Sequence, residues 1–311
     1  MSSGPARLAY LGTSDFAATI LRRLAAGSSK PALVVTPPDR KRGRGRRLAP
    51  PPAAATAVEL GLDLHQTADV NAPESLAVLE EAGIDLGLVC AFGQFLKEPL
   101  LERLELLNVH PSLLPRWRGA APIERAIMAG DERTGVAIMR VTEGLDAGPV
   151  ALREEVTIEP RDDYGSLSAR LAELGGELVV RALELRAAGE LRFTEQDEAG
   201  MTYAEKIDSG ERALDPHRPA RELEPLVRAL TPHIGAYLEL EGGDRLGVLS
   251  VRAAGDGQPA TGELRADRDA LVMGCNPGAL LITSVRPPGK HAMTAADYLR
   301  GHPAPRLAAT A

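Results

Sequence analysis

Apolar positions along this chain follow two alternating rhythms. Apolar runs at residues 8–11, 32–36 and 86–90 read as buried strands, since a strand covered on both faces needs no polar alternation, and residues 106–110 read as a further strand. Between them apolar residues recur at helical steps. Phe16, Ile20, Leu21 and Leu24 share one face of a helix predicted over 16–25, with Ser14 and Asp15 as natural caps. Further helices are predicted over 53–60 behind the prolines at 50–52, from Pro73 through Leu76, Leu79 and Ala82, over 99–104, over 122–129 and over 164–186. Residues 134–141 and 149–158 read as two more strands.

Strands alternating with helices in short steps imply an α/β domain, Rossmann-like, with a mostly parallel sheet and helices on both faces. In such sheets the ligand crevice opens at the carboxyl ends of the strands. The rhythm breaks near Gly189. One helix over 220–230 and short β-like runs at 237–240, 246–251, 271–273 and 280–285 follow, separated by Gly, Pro and Asp. That pattern predicts a small C-terminal OB-like β-barrel. The expected organisation is a domain over 1–188, a linker over 189–208 and the barrel over 209–311, which suits a chain of 311 residues.

Composition narrows the function. Aromatics make up only 3% of the chain, so its cores are built from Ala, Leu and Val. A net charge of −7 argues against a general nucleic-acid binder. Cys90 and Cys275 lie far apart with no metal-ligand spacing, so they read as buried reduced thiols and no metal is expected. Residues 1–7 lack the apolar core of a signal peptide, and no 18-residue apolar stretch occurs anywhere. These features predict a cytoplasmic protein without membrane contact, and nothing in them demands more than a monomer.

The turn after the first strand contains Gly12 alone where a dinucleotide fingerprint needs three glycines, and there is no Walker lysine. A nicotinamide or P-loop site is therefore not expected. The informative stretch is residues 108–122, Asn108-Val109-His110-Pro111-Ser112-Leu113-Leu114-Pro115-Arg116-Trp117-Arg118-Gly119-Ala120-Ala121-Pro122. Asn108 and His110, two apart at the end of a predicted strand, point to one face. Gly144-Leu145-Asp146-Ala147-Gly148 places a carboxylate 36 positions after His110. An amide donor, an imidazole and a carboxylate suit transfer of a one-carbon acyl group to an amine. The amide stabilises the oxyanion, and the imidazole and carboxylate move the amine proton. Ser112 sits within Pro-Ser-Leu-Leu-Pro rather than in a nucleophile elbow, which favours direct transfer without a covalent enzyme intermediate.

Residues 40–47, Arg40-Lys41-Arg42-Gly43-Arg44-Gly45-Arg46-Arg47, hold six positive charges in an otherwise acidic chain. Like charges this dense repel, so the strip is expected to be mobile and suited to a polyanion. From 209 to 311 there are twelve Lys and Arg against twelve Asp and Glu, a zero balance.

The Asn108–Pro115 segment together with Gly144–Gly148 resembles the signature of the folate-dependent formyltransferases. Arg116-Trp117-Arg118-Gly119-Ala120-Ala121-Pro122-Ile123 narrows the resemblance to the branch acting on methionyl-tRNA. Pro38-Asp39-Arg40 with Gly43-Arg44-Gly45 resembles that branch's tRNA-contacting loop. Thr202-Tyr203-Ala204-Glu205-Lys206-Ile207 resembles its linker, and Pro288-Gly289-Lys290-His291-Ala292-Met293 is similar to part of its C-terminal barrel. The resemblance implies 10-formyltetrahydrofolate as formyl donor and initiator methionyl-tRNA as acceptor. It implies Asn108, His110 and Asp146 as the catalytic trio, and folate contacts from Ser112, Leu113, Leu114 and Pro115. It implies tRNA contacts from Arg40, Arg42, Arg44 and Arg46 and from the barrel. Two alternatives stay open: formyl transfer to a small amine such as an amino-sugar nucleotide, and a non-catalytic RNA-binding module.

Overall fold

The apolar runs become the middle of a seven-stranded sheet. The structure is a computed structural model that describes residues 6–42, 47–255 and 259–308. In chain order the first elements are β1 (Leu8–Gly12), α1 (Asp15–Ala26), β2 (Leu33–Thr36), β3 (Arg40–Arg42), β4 (Arg47–Ala49), α2 (Pro52–Glu59), β5 (Leu64–Gln66) and α3 (Pro73–Glu81). They continue with β6 (Leu86–Cys90), α4 (Leu100–Arg103), β7 (Glu105–His110), β8 (Arg118–Gly119), α5 (Pro122–Met128), β9 (Arg133–Arg140), β10 (Val150–Thr157) and α6 (Tyr164–Ala187). The sheet order is β10-β9-β7-β6-β1-β2-β5. β7, β6, β1, β2 and β5 run parallel, while β9 and β10 are antiparallel to their neighbours. The strand β5 escapes the hydrophobic pattern because Leu64-His65-Gln66 has a single apolar residue at a sheet edge.

Every residue of β1, β2 and β6 is buried, as the unbroken apolar runs require. Helices cover both faces. Ala9, Leu11, Leu33, Val35 and Leu106 pack with Leu76 and Leu79 of α3 and Leu100 of α4. On the other face α6 lies so close that a Cβ on Gly175 would sit 3.1 Å from both Ile20 of α1 and Val109 of β7. Glycine is what permits that approach. Ser14 caps α1, its hydroxyl accepting from the Ala17 N–H, as the sequence suggests.

The chain packs as two units. The first runs to Pro122 and adds Arg133–Thr157 and Ser168–Ala204; the second takes Ile123–Glu132, Ile158–Leu167 and everything from Glu205 onward. Much of the segment read from the sequence as linker, residues 189–204, packs in the first unit. There β11 (Tyr203–Ala204) pairs in parallel with β8.

The second unit contains α7 (Ala220–Leu230), β12 (Ala236–Glu239), β13 (Arg245–Ala254), β14 (Leu264–Asp267), β15 (Ala270–Gly274), β16 (Ala279–Arg286), β17 (Met293–Thr294) and α8 (Ala295–Gly301). Its antiparallel sheet has the order β12-β13-β16-β15-β14, with β17 on β16. Leu223, Leu226, Val227 and Leu230 of α7 pack on Leu238, Val248, Leu271, Leu280 and Ile282 of that sheet. Ile123–Glu132 is tied to the rest of this unit by polar contacts. Arg125 pairs with Glu211 at 2.6 Å, and Glu124 lies 2.8 Å from His233 Nε2. Among the described residues no helix is long and apolar enough to cross a membrane.

Candidate active site

The carboxyl end of β7 is where the sheet delivers polar side chains. Asn108 lies between Val89 of β6 and Met139 of β9, and His110 lies opposite Ala137. The antiparallel return from β9 to β10 carries Asp146, so a distant carboxylate comes back over the end of β7. Its side chain is 16% exposed and that of His110 5%.

The three groups meet at the carboxylate. Asn108 Nδ2 donates to Asp146 Oδ1 at 3.2 Å, and Asp146 Oδ2 lies 3.6 Å from His110 Nδ1. The Gly119 N–H donates to the same Oδ2 at 2.8 Å. An amide nitrogen has two hydrogens, so Asn108 keeps a second donor for a reacting oxygen. His110 Nε2 faces the carbonyl oxygen of Trp117 at 2.8 Å. A carbonyl only accepts, so Nε2 carries the hydrogen, and Nδ1 is the nitrogen turned toward the Asp146 carboxylate.

Backbone strain marks the same corner. Asp146 has φ +46° and Trp117 φ +64°, in a left-handed region that costs a non-glycine residue about 1–3 kcal/mol. Surrounding bonds hold both. The Trp117 N–H donates to Thr202 Oγ1 at 2.9 Å, and the N–H groups of Ala120 and Ala121 donate to the Ala204 carbonyl. Gly119 has φ +115°, and a Cβ there would lie 2.9 Å from that carbonyl oxygen, so the strand pair β8·β11 requires glycine at this position. Trp117 thus serves the site through its main chain, while its ring lies under the Arg116 guanidinium at 4.3 Å.

Residues 6–183 match the formyl transferase family, and residues 206–303 match its C-terminal domain. The methionyl-tRNA formyltransferase of Halorhodospira halophila is 44% identical over 300 residues, covering 95% of this chain and 96% of that one. That of Parvibaculum lavamentivorans is 42% identical over 301 residues, with the same coverage. The chain belongs to the methionyl-tRNA formyltransferase family. Among solved structures, HypX from Aquifex aeolicus in complex with tetrahydrofolic acid shares the fold at 20% identity and a TM-score of 0.65. That match covers 95% of this chain and 47% of the longer HypX chain.

In this formyltransferase the segment after His110 is partly closed to a ligand. The Ser112 hydroxyl is buried and donates to the Arg116 carbonyl at 2.7 Å, so its hydrogen is held by a main-chain oxygen. Leu114 is buried against Ala137 and Met139. Leu113 and Pro115 are half-buried, and Leu113 rests over Gly135, where a Cβ would come within 2.6 Å of it.

Of the basic strip, expected from its charge to be mobile, the structure describes the flanks. These form a hairpin, with Arg40 opposite Ala49, Lys41 opposite Leu48 and Arg42 opposite Arg47. Main-chain pairing between β3 and β4 holds the flanks despite like-charge repulsion. Arg40 and Lys41 are exposed. Gln66 Nε2 anchors the entry by donating to Asp39 Oδ1 at 2.9 Å. Arg44, Arg46 and the side chain of Arg42 lie outside the described residues.

Sequence reasoning misses three contributors: the Trp117 carbonyl, the Gly119 N–H and Gln196. The first two act through main-chain atoms and carry no side-chain signal. Gln196 lies in a polar stretch that reads as loop.

Proposed function

We propose that this enzyme transfers the formyl group of 10-formyltetrahydrofolate to the α-amino group of methionyl initiator tRNA, with Asn108, His110 and Asp146 touching the reacting atoms. The observation that carries the assignment of roles is the Asp146 carboxylate, set between the Asn108 amide and the His110 imidazole at the end of β7.

The neutral amine attacks the formyl carbon and a C–N bond forms. Negative charge gathers on the formyl oxygen, where the free N–H of Asn108 stabilises it, an interaction worth roughly 3–4 kcal/mol judged by oxyanion-hole deletions. The attacking nitrogen becomes cationic and loses a proton toward Asp146 and His110 Nδ1. The bond from carbon to N10 of the folate breaks, and N10 takes up a proton in return. Tetrahydrofolate leaves, and the product is formylmethionyl-tRNA. Asp146 stabilises the imidazolium while His110 holds two protons. No covalent enzyme intermediate is required.

Leu113 and Pro115 border the folate, with Ser112 and Leu114 shaping the segment from inside. The basic strip with Arg40, Arg42, Arg44 and Arg46 meets tRNA phosphates, and the C-terminal unit adds a second contact. The enzyme acts as a monomer in the cytoplasm. The unit with residues 133–157 and 168–204 beside the chain up to Pro122 then acts as the catalytic part, and the unit that runs from Glu205 onward as the tRNA-contacting part.

The experiment offers three acceptors with 10-formyltetrahydrofolate: methionine-charged initiator tRNA, uncharged tRNA and an amino-sugar nucleotide. Formyl-methionine released after deacylation is the expected product. Transfer to the sugar alone would overturn the acceptor assignment, and no transfer at all would return the RNA-binding alternative.

A further inference from the structure

We infer that Gln196 is a positioning residue for the reaction, holding Asp146 in its strained conformation; the inference rests on the role proposed above for Asp146. All four hydrogen-bonding valences of the Gln196 amide are used. Nε2 donates to the main-chain carbonyls of Asp146 at 2.8 Å and Gly148 at 2.7 Å. Oε1 accepts from Arg118 Nε at 3.0 Å and Nη2 at 2.9 Å. A primary amide has two hydrogens and two acceptor lone pairs, so each group is satisfied. Glutamate lacks the hydrogens, and asparagine is one methylene short.

The placement of Gln196 follows from a two-residue step. Thr194 and Val150 exchange both main-chain hydrogen bonds at 2.9 Å, fastening this segment to the start of β10. Gln196, two residues on, then faces the turn that precedes β10. The two carbonyls it grips belong to Asp146 and Gly148, which span that turn. The first of these carbonyls directly follows the Asp146 φ of +46°. A turn with an unfavourable dihedral relaxes unless neighbouring bonds determine it, and Gln196 supplies two of those bonds.

Arg118 fixes the clamp from behind. It is 6% exposed, and its guanidinium also lies 3.0 Å from Met201 Sδ. A buried guanidinium is costly unless its donors are met, and Gln196 Oε1 meets two of those of Arg118. The next residue, Gly119, gives its N–H to Asp146 Oδ2. Arg118 and Gly119 therefore hold the Asp146 turn from two sides, one through Gln196 and one directly at the carboxylate.

The test compares Gln196→Glu and Gln196→Met with wild type and Asp146→Asn in single-turnover transfer to methionyl-tRNA across a pH series, with KM for both substrates. Gln196→Glu keeps an acceptor for Arg118 but loses both donors to the turn; Gln196→Met keeps the length and loses every bond. Both variants should lose about ten- to a hundredfold in the transfer rate, the cost of a small displacement of a reacting group, with KM changed by less than about threefold. The shape of the pH–rate profile should change, since Asp146 no longer faces His110 Nδ1 in a fixed geometry. A merely structural role would lower the rate equally at every pH, and that result would overturn the inference. So would a Gln196→Glu enzyme within about twofold of wild type, because anchoring Arg118 would then be its whole contribution. If Asp146→Asn is inactive while the Gln196 variants are normal, this inference alone fails. If Asp146→Asn is fully active, the proposed role of Asp146 fails and this inference fails with it.

Discussion

The end of β7 and the C-terminal unit bury different things. At the first, His110, Ser112 and Arg118 are buried, and each finds a partner in a main-chain atom or another polar side chain. From Glu205 onward, among the described residues, no charged residue and no Ser, Thr, Asn, Gln or His is buried. Its interior from there on is mostly Leu, Val, Ile and Ala, with Met273, Cys275 and Tyr298. Buried hydrogen-bonded polar groups add little net stability, about 1 kcal/mol per bond, but they fix direction. Burying an aliphatic side chain contributes about 1.5–3 kcal/mol and fixes little chemistry. One region is organised for geometry and the other for cohesion.

The sharpest way to test that contrast is Asp146→Asn. It should lower the transfer rate by about 10²–10⁴-fold while folate affinity is retained and the urea midpoint barely moves. Loss of folate binding instead would make Asp146 a donor-site residue. Asn108→Ala should follow with a loss of about a hundredfold or more and near-normal tRNA affinity; unchanged single-turnover kinetics would remove Asn108 from the site. Leu280→Ala probes the opposite region. Leu280 is fully buried, so denaturant unfolding should show about 2–5 kcal/mol lost, with the transfer rate per folded molecule preserved. A rate deficit in that variant would dissolve the distinction.

Smaller effects are expected at the surface. Arg40→Ala with Lys41→Ala should weaken tRNA use severalfold and reduce the slope of log K against log salt by about 0.7–0.9 per lost phosphate contact. An identical slope in both proteins would exclude the hairpin as a phosphate contact. Last is an effect of almost zero. Burial pushes the Cys90 thiol up to about 12 and that of Cys275 to about 11. The thiolate is the nucleophile, so at pH 8 both thiols should ignore a disulfide reagent in the native protein. They should react only once unfolding returns them to about 8.5. Rapid labelling of the native chain would contradict the buried placement of both.

Much of the first unit was legible because its signals are strong and local. Unbroken apolar runs give β1, β2 and β6, and Ser14 announces α1. The spacing of Asn108 and His110 on β7 sets them on one face whatever surrounds the strand. The elements that escaped are β5, β14, β17, α8 and the pairs β3·β4 and β8·β11. The strands among them are short and held by main-chain bonds to a neighbour rather than by an apolar face of their own, and α8 is only seven residues long. The assignment of residues 123–132 and 158–167 to the second unit was equally hidden. It depends on partners such as Glu211 and His233, which lie dozens of residues away.

By itself the sequence determined the strand that presents Asn108 and His110, the carboxylate that suits them, the change of character near residue 189 and the family to which the motifs point. Periodicity and residue chemistry act over a few positions and survive without a fold. Only the tertiary structure decided which nitrogen of His110 carries the hydrogen, that Asp146 sits in a left-handed turn, and that Gln196 grips that turn. Each of these depends on main-chain groups brought together from distant segments. Every residue type carries the same N–H and C=O, so their partners leave no mark in the sequence.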